Sequence, residues 1–474
     1  MKTIAITLAA LLAGCAAPVL QQPELALPGA FKEAPAVQTA ADGTRWQQAR
    51  AAEQQPRGAW WLAFNDGALT ALIDEATQAN ANLAVAAARV RQARAVAGIA
   101  AADRIPQIGV QAGAQRGRSS PFELSLPPGT DVAPVTRYQA RLTASYEVDL
   151  FGRVAGSINA ARADAAGAEA TYRSVLLALQ ADVAQTYYLL RATDAELATL
   201  DDTVRLRTEN VRINQRRFDL GDIGEFDLSR AKTELATTRV EAIGLQRQRV
   251  NAEHALAILL GKPAAAFTAP SQPLHDGALL PLIPAGLPSA LLERRPDIAA
   301  AQRAMEAQNA RIGEARSAMF PALNLSANGG GVSDTVSDVF KWSSRSWVLG
   351  ALMSMPIVDG GRNRNNIARS EAALEEAVAS YRQSVLVAFA EVEDSLAGLR
   401  ILSGQSAQIE DAVVSARRSA DLAQKLYDAG RSSYLDLLDA QRNLTTVERS
   451  AVQLRGSRAV TTVALVRALG GGWD

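Results

Sequence analysis

Phe218-Asp219-Leu220-Gly221 returns later in the chain as Tyr427-Asp428-Ala429-Gly430, and Phe226-Asp227-Leu228 returns as Leu435-Asp436-Leu437. Gly152-Arg153 returns as Gly361-Arg362, Tyr172-Arg173 as Tyr381-Arg382 and Leu260-Gly261 as Leu469-Gly470. Each later number exceeds the earlier one by 209, so more than a hundred residues per copy keep one register without insertion. Such a register suits long helices, and a self-similar chain is read first as a repeat. Within each copy the helical pattern is long and unbroken. Arg153 to about Arg217 holds no proline and two glycines, with apolar residues at Tyr172, Leu176, Leu179, Val183, Tyr187, Leu190, Leu197 and Val204. Its copy, Arg362 to about Leu426, carries Val378, Tyr381, Val385, Ala388, Val392, Leu396 and Leu399. Spacings of three and four over this distance predict coiled-coil-like helices. About 64 residues at 1.5 Å each give a length of roughly 96 Å, beyond ordinary globular helices. Each ends at a glycine, Gly221 or Gly430, and a shorter helix of about 34 residues is predicted to return.

Ahead of each long helix the polarity period becomes two. Ile108, Val110, Ala112 and Ala114 alternate with Gln107, Gly109, Gln111 and Gly113. Tyr138, Ala140, Leu142, Ala144, Tyr146 and Val148 alternate with Arg137, Gln139, Arg141, Thr143, Ser145 and Glu147. In the second copy Leu323, Leu325 and Ala327 alternate with Asn324, Ser326 and Asn328. A weaker fourth strand has Trp347, Leu349, Ala351 and Met353 on one face but Val348 and Leu352 on the other. Alternating segments of about ten residues are the pattern of membrane barrel strands; a half-buried soluble hairpin has the same period. The stretches 119–134 and 332–345, rich in Pro, Ser and Asp, are predicted surface loops. A helical pattern also opens each copy, from Leu69 to about Asp103 and from Leu287 to about Ser317. There the offset is 215, since Pro106 matches Pro321, and the six-residue change falls in the hairpin. Loops absorb such changes.

Composition excludes several classes. Over 474 residues the net charge is zero, against the basic excess of a nucleic-acid binder. Two histidines, His254 and His275, and one cysteine, Cys15, cannot make a zinc site or a disulfide within one chain. No glycine-rich phosphate loop or histidine-based triad occurs, so neither an enzyme nor a cofactor is expected. Lys2 followed by the apolar run from Ile4 to Ala13 reads as a signal peptide, 1–14. Leu12-Ala13-Gly14-Cys15 resembles a bacterial lipobox, which implies cleavage before Cys15 and a covalent lipid on its thiol; Ala16 in the next place suits outer-membrane delivery. Residues 15–56, punctuated by Pro18, Pro23, Pro28, Pro35 and Pro56, read as a lipidated tether. No later stretch reaches about 18 apolar residues, so any membrane crossing must use strands. The expected organisation is a first repeat at 57–270 with a hairpin at about 106–150, a linker at 271–286, and a second repeat at 287–474 with a hairpin at about 321–357.

Four strands cannot close a barrel, and open edges cannot face lipid. Several chains must therefore share one, two giving eight strands or three giving twelve. The combined pattern resembles the TolC-type outer-membrane factors, in their lipoprotein branch serving resistance-nodulation-division efflux. The resemblance rests on Trp60-Trp61 through Phe64 and Asp66, Asp149-Leu150-Phe151-Gly152-Arg153, Arg294-Arg295-Pro296-Asp297-Ile298, Leu438-Asp439-Ala440-Gln441-Arg442 and Ala468-Leu469-Gly470-Gly471-Gly472-Trp473. Gly67 departs from it, where the family often has proline. The resemblance implies an α+β membrane protein in the outer membrane of a Gram-negative bacterium. Its fold would be a homotrimer with a twelve-stranded β-barrel, four strands per chain, continuous with an α-helical barrel reaching into the periplasm. It implies a periplasmic adaptor (membrane fusion) protein and an inner-membrane resistance-nodulation-division pump as partners. Small toxic compounds would pass through without being bound tightly or changed. An exit duct for type I protein secretion and a lipid-anchored coiled-coil scaffold without a pore are the alternative readings.

Residues at the helical tips are the candidate functional positions. Asp436 and Asp439 share a helix face, and acids at a helix start are also ordinary dipole partners, with Ser432 or Ser433 as cap. The resemblance places Asp436, Asp439 and Arg442 at a periplasmic gate, with Arg442, one turn from Asp439, latching the closed state through a salt bridge. Three chains would crowd these carboxylates and raise one another's pKa. At the first tip Asp227 and Arg230 are the counterparts, and Arg230 is expected to pair with an acid of the neighbouring tip. The turns Gly221, Asp222, Ile223, Gly224 and Gly430, Arg431, Ser432, Ser433 are the expected adaptor-docking surface.

Overall fold

The computed structural model describes residues 58–275 and 294–471, together with 20, 30–33, 281 and 283. The signal peptide, Cys15, most of the tether and of the linker, Leu287 and Trp473 lie outside the described residues. A 3-10 turn (Trp60–Phe64) leads into α1 (Gly67–Ala79), α2 (Ala81–Ala102), β1 (Gln107–Gly117), β2 (Val135–Val148), α3 (Arg153–Asp219) and α4 (Glu225–Leu259). The second copy supplies α5 (Pro296–Ser317), β3 (Ala322–Ser333), β4 (Arg345–Ser354), α6 (Arg362–Asp428) and α7 (Tyr434–Ala468). Helices α3 and α6 correspond at an offset of 209 at both ends, as do α4 and α7, while α2 and α5 correspond at 215. The internal repeat of the sequence is thus a repeat of structure.

Sequence periodicity joined Leu69 to Asp103 in one helix, and the structure corrects this. Asn80 takes an extended conformation between α1 and α2. Its Oδ1 accepts from the Leu83 backbone N–H at 3.0 Å, capping α2, while its Nδ2 donates to the Leu259 carbonyl at 2.9 Å. One side chain thus starts a helix and holds it to α4, an arrangement apolar spacing cannot reveal. At the Gly67 departure, Asp66 caps α1 by accepting from Ala68 and Leu69. Its other oxygen accepts from the Tyr187 hydroxyl at 2.7 Å.

The chain divides into two compact units, each drawing on both copies. The first comprises residues 89–168 and 301–381 and contains the sheet. Its four strands pair antiparallel in the order β1-β2-β3-β4, so β1 and β4 are edges. The register sets Ile108, Ala144, Ala327 and Leu349 in one row, and Val110, Leu142, Gly329 and Trp347 in the next. Rows on the opposite face hold Gln107, Ser145, Ser326 and Gly350, then Gln111, Arg141, Gly330 and Ser346. One face is therefore apolar and the other polar, as the period of two requires. The imperfect fourth segment still pairs as a strand, and Val348 and Leu352 fall on the polar face. Two glycines permit the close packing here. A Cβ on Gly330 would lie 2.1 Å from the Ala140 carbonyl oxygen, and one on Gly331 would lie 1.7 Å from that of Val339. Below the sheet Phe151 stacks on Phe320 at 5.0 Å, and Asp149 caps α3 through Val154 and Ala155.

The second unit comprises the remaining described helical residues, 58–88, 169–275, 294–300 and 382–471. Its core joins Leu69 and Ile73 of α1 to Leu179, Val183 and Tyr187 of α3, Leu256 of α4, Val392 of α6 and Val463 and Val466 of α7. Burying each large aliphatic side chain contributes about 1.5–3 kcal/mol. The apolar residues spaced three and four apart along α3 are thus the ones that meet neighbouring helices. Among the described residues no helix is long and apolar enough to cross a membrane.

Candidate functional site: the helical tips

Each long helix ends in the same turn. Gly221 and Gly430 take left-handed φ values of 79° and 68°. The N–H groups of Asp222 and Arg431 reach back to the carbonyls of Arg217 and Leu426, both at 2.8 Å. Glycine is favoured in this C-cap because it lacks a Cβ. Beyond the turn the two copies diverge. Ser433 caps α7 with a reciprocal box: its Oγ accepts from the Asp436 N–H at 3.2 Å, and Asp436 Oδ2 accepts from the Ser433 N–H at 3.0 Å. Gly224 at the same place before α4 provides no side chain to cap with. Asp436 is therefore a capping acid, and its hydrogen bonds from Ser433 hold its pKa below the usual carboxylate range. Within one chain the direction is opposite to that expected from crowded carboxylates.

Arg442 also has a different main partner from the one the sequence suggested. It lies 3.8 Å from Asp439, whose side chain is largely exposed, but its Nε donates to Glu234 Oε2 at 3.0 Å and its Nη2 bonds Glu234 Oε1. Arg207 of α3 donates to the same Oε2 at 2.6 Å. Glu234 and Arg207 are buried, so α3, α4 and α7 are joined by one carboxylate between two guanidiniums. Burial lowers the pKa of Arg442, and the nearby charges of Arg207 and Arg230 lower it further. Burial likewise lowers that of Arg207. Both remain cations at any ordinary pH.

The seam continues on both sides of this cluster. Asn210 Nδ2 donates to Gln441 Oε1 at 3.1 Å, and Arg217 Nη1 donates to the Tyr427 hydroxyl at 2.7 Å. Farther along α7, Arg449 holds Glu196 at 2.9 Å and Glu241 at 2.7 Å. A small apolar cluster of Ala231, Tyr434, Leu437 and Leu438 closes the tip. The sequence reading missed Glu234, Arg207, Asn210 and Gln441 as a set, since their partners lie on other helices. The signal available was a buried-type position in α4 occupied by an acid.

Arg230 is also placed otherwise than expected. Its guanidinium lies 5.5 Å from the centre of the Phe226 ring, and no acid pairs with it among the described residues. Asp227 sits in the first turn of α4 beside Glu225. Of the turn residues, Gly221, Asp222, Gly224, Gly430, Arg431 and Ser433 are exposed, while Ile223 and Ser432 are half-buried. No group of three potential metal ligands occurs among the described residues.

The pattern of helical tips, repeated long helices and a two-faced sheet has known counterparts. A family model of outer membrane efflux proteins matches residues 72–262 and 287–471. The chain belongs to the outer membrane efflux protein family. It is 35% identical to the solvent efflux pump outer membrane protein SrpC of Pseudomonas putida, over 87% of each chain. It is 31% identical to the cation efflux system protein CusC of Escherichia coli O6:H1, over all of this chain and 99% of that one. The crystal structure of the CmeC outer membrane channel of Campylobacter jejuni superposes with a TM-score of 0.87 at 25% identity, covering 97% of this chain and 95% of that one. The fold read from the sequence is the fold of this family: an internally repeated chain giving four strands to a trimeric β-barrel joined to an α-helical barrel. This efflux protein is an outer-membrane efflux channel, not an enzyme. Its glycine-ended long helices and alternating strands carried that reading in the sequence.

Proposed function

We propose that this efflux protein is the lipid-anchored exit duct of a three-part pump, gated at its periplasmic helical tips. The observation that carries the proposal is the pairing of an open, two-faced sheet with a polar seam at the tips. Two unpaired strand edges in a lipid-facing sheet require neighbouring chains, and backbone groups left unpaired there cost several kcal/mol each. Three copies give a wall whose polar face encloses water. A lipid on Cys15 holds the chain at the membrane, and the helices extend into the periplasm. There the exposed turns at 221–224 and 430–433 are the docking surface for an adaptor hairpin leading to a resistance-nodulation-division pump. On this reading the chain divides into signal peptide 1–14, tether 15–56, first repeat 57–270, linker 271–286 and second repeat 287–474.

The gate consists of Asp436, Asp439, Arg442, Asp227 and Arg230, with Glu234 added as the acid that receives Arg442. Separating α7 from α3 and α4 breaks Arg442–Glu234, Asn210–Gln441 and Arg449–Glu241 together. The closed tip is thus held by several modest contacts acting as one set. Full-length protein in planar bilayers tests this. Heat-modifiable trimers with small, steady currents are expected, and Asp439→Ala with Arg442→Ala is expected to raise the current severalfold. Monomeric protein that carries no current rejects the duct; an unchanged current in the double variant rejects the gate.

A further inference from the structure

The polar face of the sheet is not electrically neutral. Strand register places Arg137 and Arg141 on it, opposite Gln115 and Gln111 of β1. On the other side of Arg141 stands Gly330, followed by Ser346. The missing Cβ at Gly330 lets β3 approach the Arg141 backbone, where any Cβ would lie 2.7 Å from its Cα. No side-chain hydrogen bond or ion pair joins Arg137 or Arg141 to a carboxylate among the described residues. Arg141 Nε is buried and has no hydrogen-bond partner there. Several nearby acids already pair with other cations. Glu147, alone among acids on that face of the four strands, is held by both Arg153 Nε and Nη2, at 2.6 and 2.5 Å. In the connecting loops Asp131 pairs with Arg118 and Asp338 with Lys341. The polar face of the sheet therefore keeps two cations per chain that no carboxylate pairs with among the described residues.

We propose that these arginines form a cationic belt inside the barrel that favours anionic solutes, a class exemplified by small carboxylates and sulfonates. The proposal rests on the duct reading above. Arg137 and Arg141 are four residues apart, or about 13 Å along the strand. They make two tiers, and three chains contribute six guanidiniums. Twelve tilted strands enclose a wall roughly 12 Å from its axis. Arginine side chains reach inward from that wall, so the axis lies within about one Debye length, ~8 Å at physiological salt. A solute on the axis therefore feels the belt with little screening, and low-dielectric walls strengthen the field. The tip carboxylates Asp436 and Asp439 carry the opposite sign at the far end of the long helices, so total ion selectivity mixes both contributions. A local probe is needed.

Gln139 lies on the same face between the two arginines and supplies it. Full-length Gln139→Cys trimers in planar bilayers are treated from the strand side with a sulfonate-bearing and an ammonium-bearing thiosulfonate of equal size, and current block is timed. Protein without the added cysteine is the control. The sulfonate reagent is expected to react about tenfold faster than the ammonium reagent, within the range of electrostatic focusing. Adding Arg137→Gln and Arg141→Gln is expected to bring the ratio near one, whereas Arg137→Lys and Arg141→Lys keep it. A ratio that glutamine substitution leaves unchanged, or one favouring the ammonium reagent, overturns the belt while currents persist. Absence of any current in the cysteine protein and its parent overturns the duct itself, and the belt with it.

Discussion

Replacing Glu234 with alanine is expected to leave the channel permanently leaky and its tip markedly less stable. Glu234 is the one carboxylate to which both Arg207 and Arg442 donate. Its side chain is 11% exposed and that of Arg207 only 7%, so removing the acid strands a buried cation. Breaking a buried pair by deleting one partner costs about 3–5 kcal/mol. Arg442 is about half exposed, so losing its link adds less. The link matters for position instead, because it is the direct charge contact between α4 and α7 nearest the tip. With it gone, Arg207, Arg230 and Arg442 repel one another, and only the largely exposed Asp439, 3.8 Å from Arg442, remains as an ion-pair partner among the described residues. Single-channel recordings are expected to show a severalfold larger resting current, and limited proteolysis is expected to cut first near 221–224 and 430–433. Glu234→Gln keeps the volume and an acceptor oxygen and should fall between the two. Arg207→Met with Glu234→Leu separates stability from gating: burial is restored, so proteolytic resistance returns, while the current stays high because Arg442 has lost its tie to α4. A low, wild-type current in Glu234→Ala would remove Glu234 from the gate.

The contrast between the readable and unreadable parts of this site is physical. Gly221 and Gly430 announced the tips because a left-handed C-cap is a local requirement, satisfied by a single residue type. The strands were legible because a period of two reports directly which face is polar. Asp439 and Arg442 were found as a pair because three residues on one helix are neighbours whatever surrounds them. Glu234 and Arg442 are 208 residues apart, and their meeting depends on how α4 and α7 slide along each other. A heptad-like pattern fixes which stripe faces a partner helix but not the relative height of two helices. The same limit hid the double role of Asn80, whose partner Leu259 is 179 residues away. The capping role of Asp436 was legible as well, because an acid three residues after a serine at a helix start serves the helix whatever else it does.

Arg295→Met is expected to have the second large effect, on assembly rather than on gating. Arg295 precedes α5 and is 7% exposed. Its Nε and Nη2 grip Asp297 at 3.0 and 2.6 Å, while its Nη1 reaches Glu391 of α6 at 2.5 Å and the Ala468 carbonyl at 3.0 Å. That carbonyl belongs to the last turn of α7, which intrahelical bonds leave unsatisfied. One guanidinium thus ties the start of α5 to α6 and to the end of α7. Methionine keeps much of the volume but none of the donors, and about 3 kcal/mol should be lost. Lysine keeps the charge without the planar fork and should recover only part. Burial pushes the Asp297 carboxyl up, but the hydrogen bond and charge of Arg295 outweigh it, with a further bond from the Ile298 N–H, and the net shift is downward. A depressed carboxylate stabilises the fold fully above its unfolded pKa, about 3.9, and loses that contribution as pH falls through its folded value. Wild-type trimers should therefore weaken below about pH 4. Arg295→Met should already be weak at neutral pH and lose less on acidification, since Asp297 then has no guanidinium to lose. Heat-dissociation of trimers followed by gel mobility at pH 7 and pH 3.5 reads both effects. Equal acid sensitivity in the two proteins would show that the Arg295–Asp297 pair is not what acid titrates.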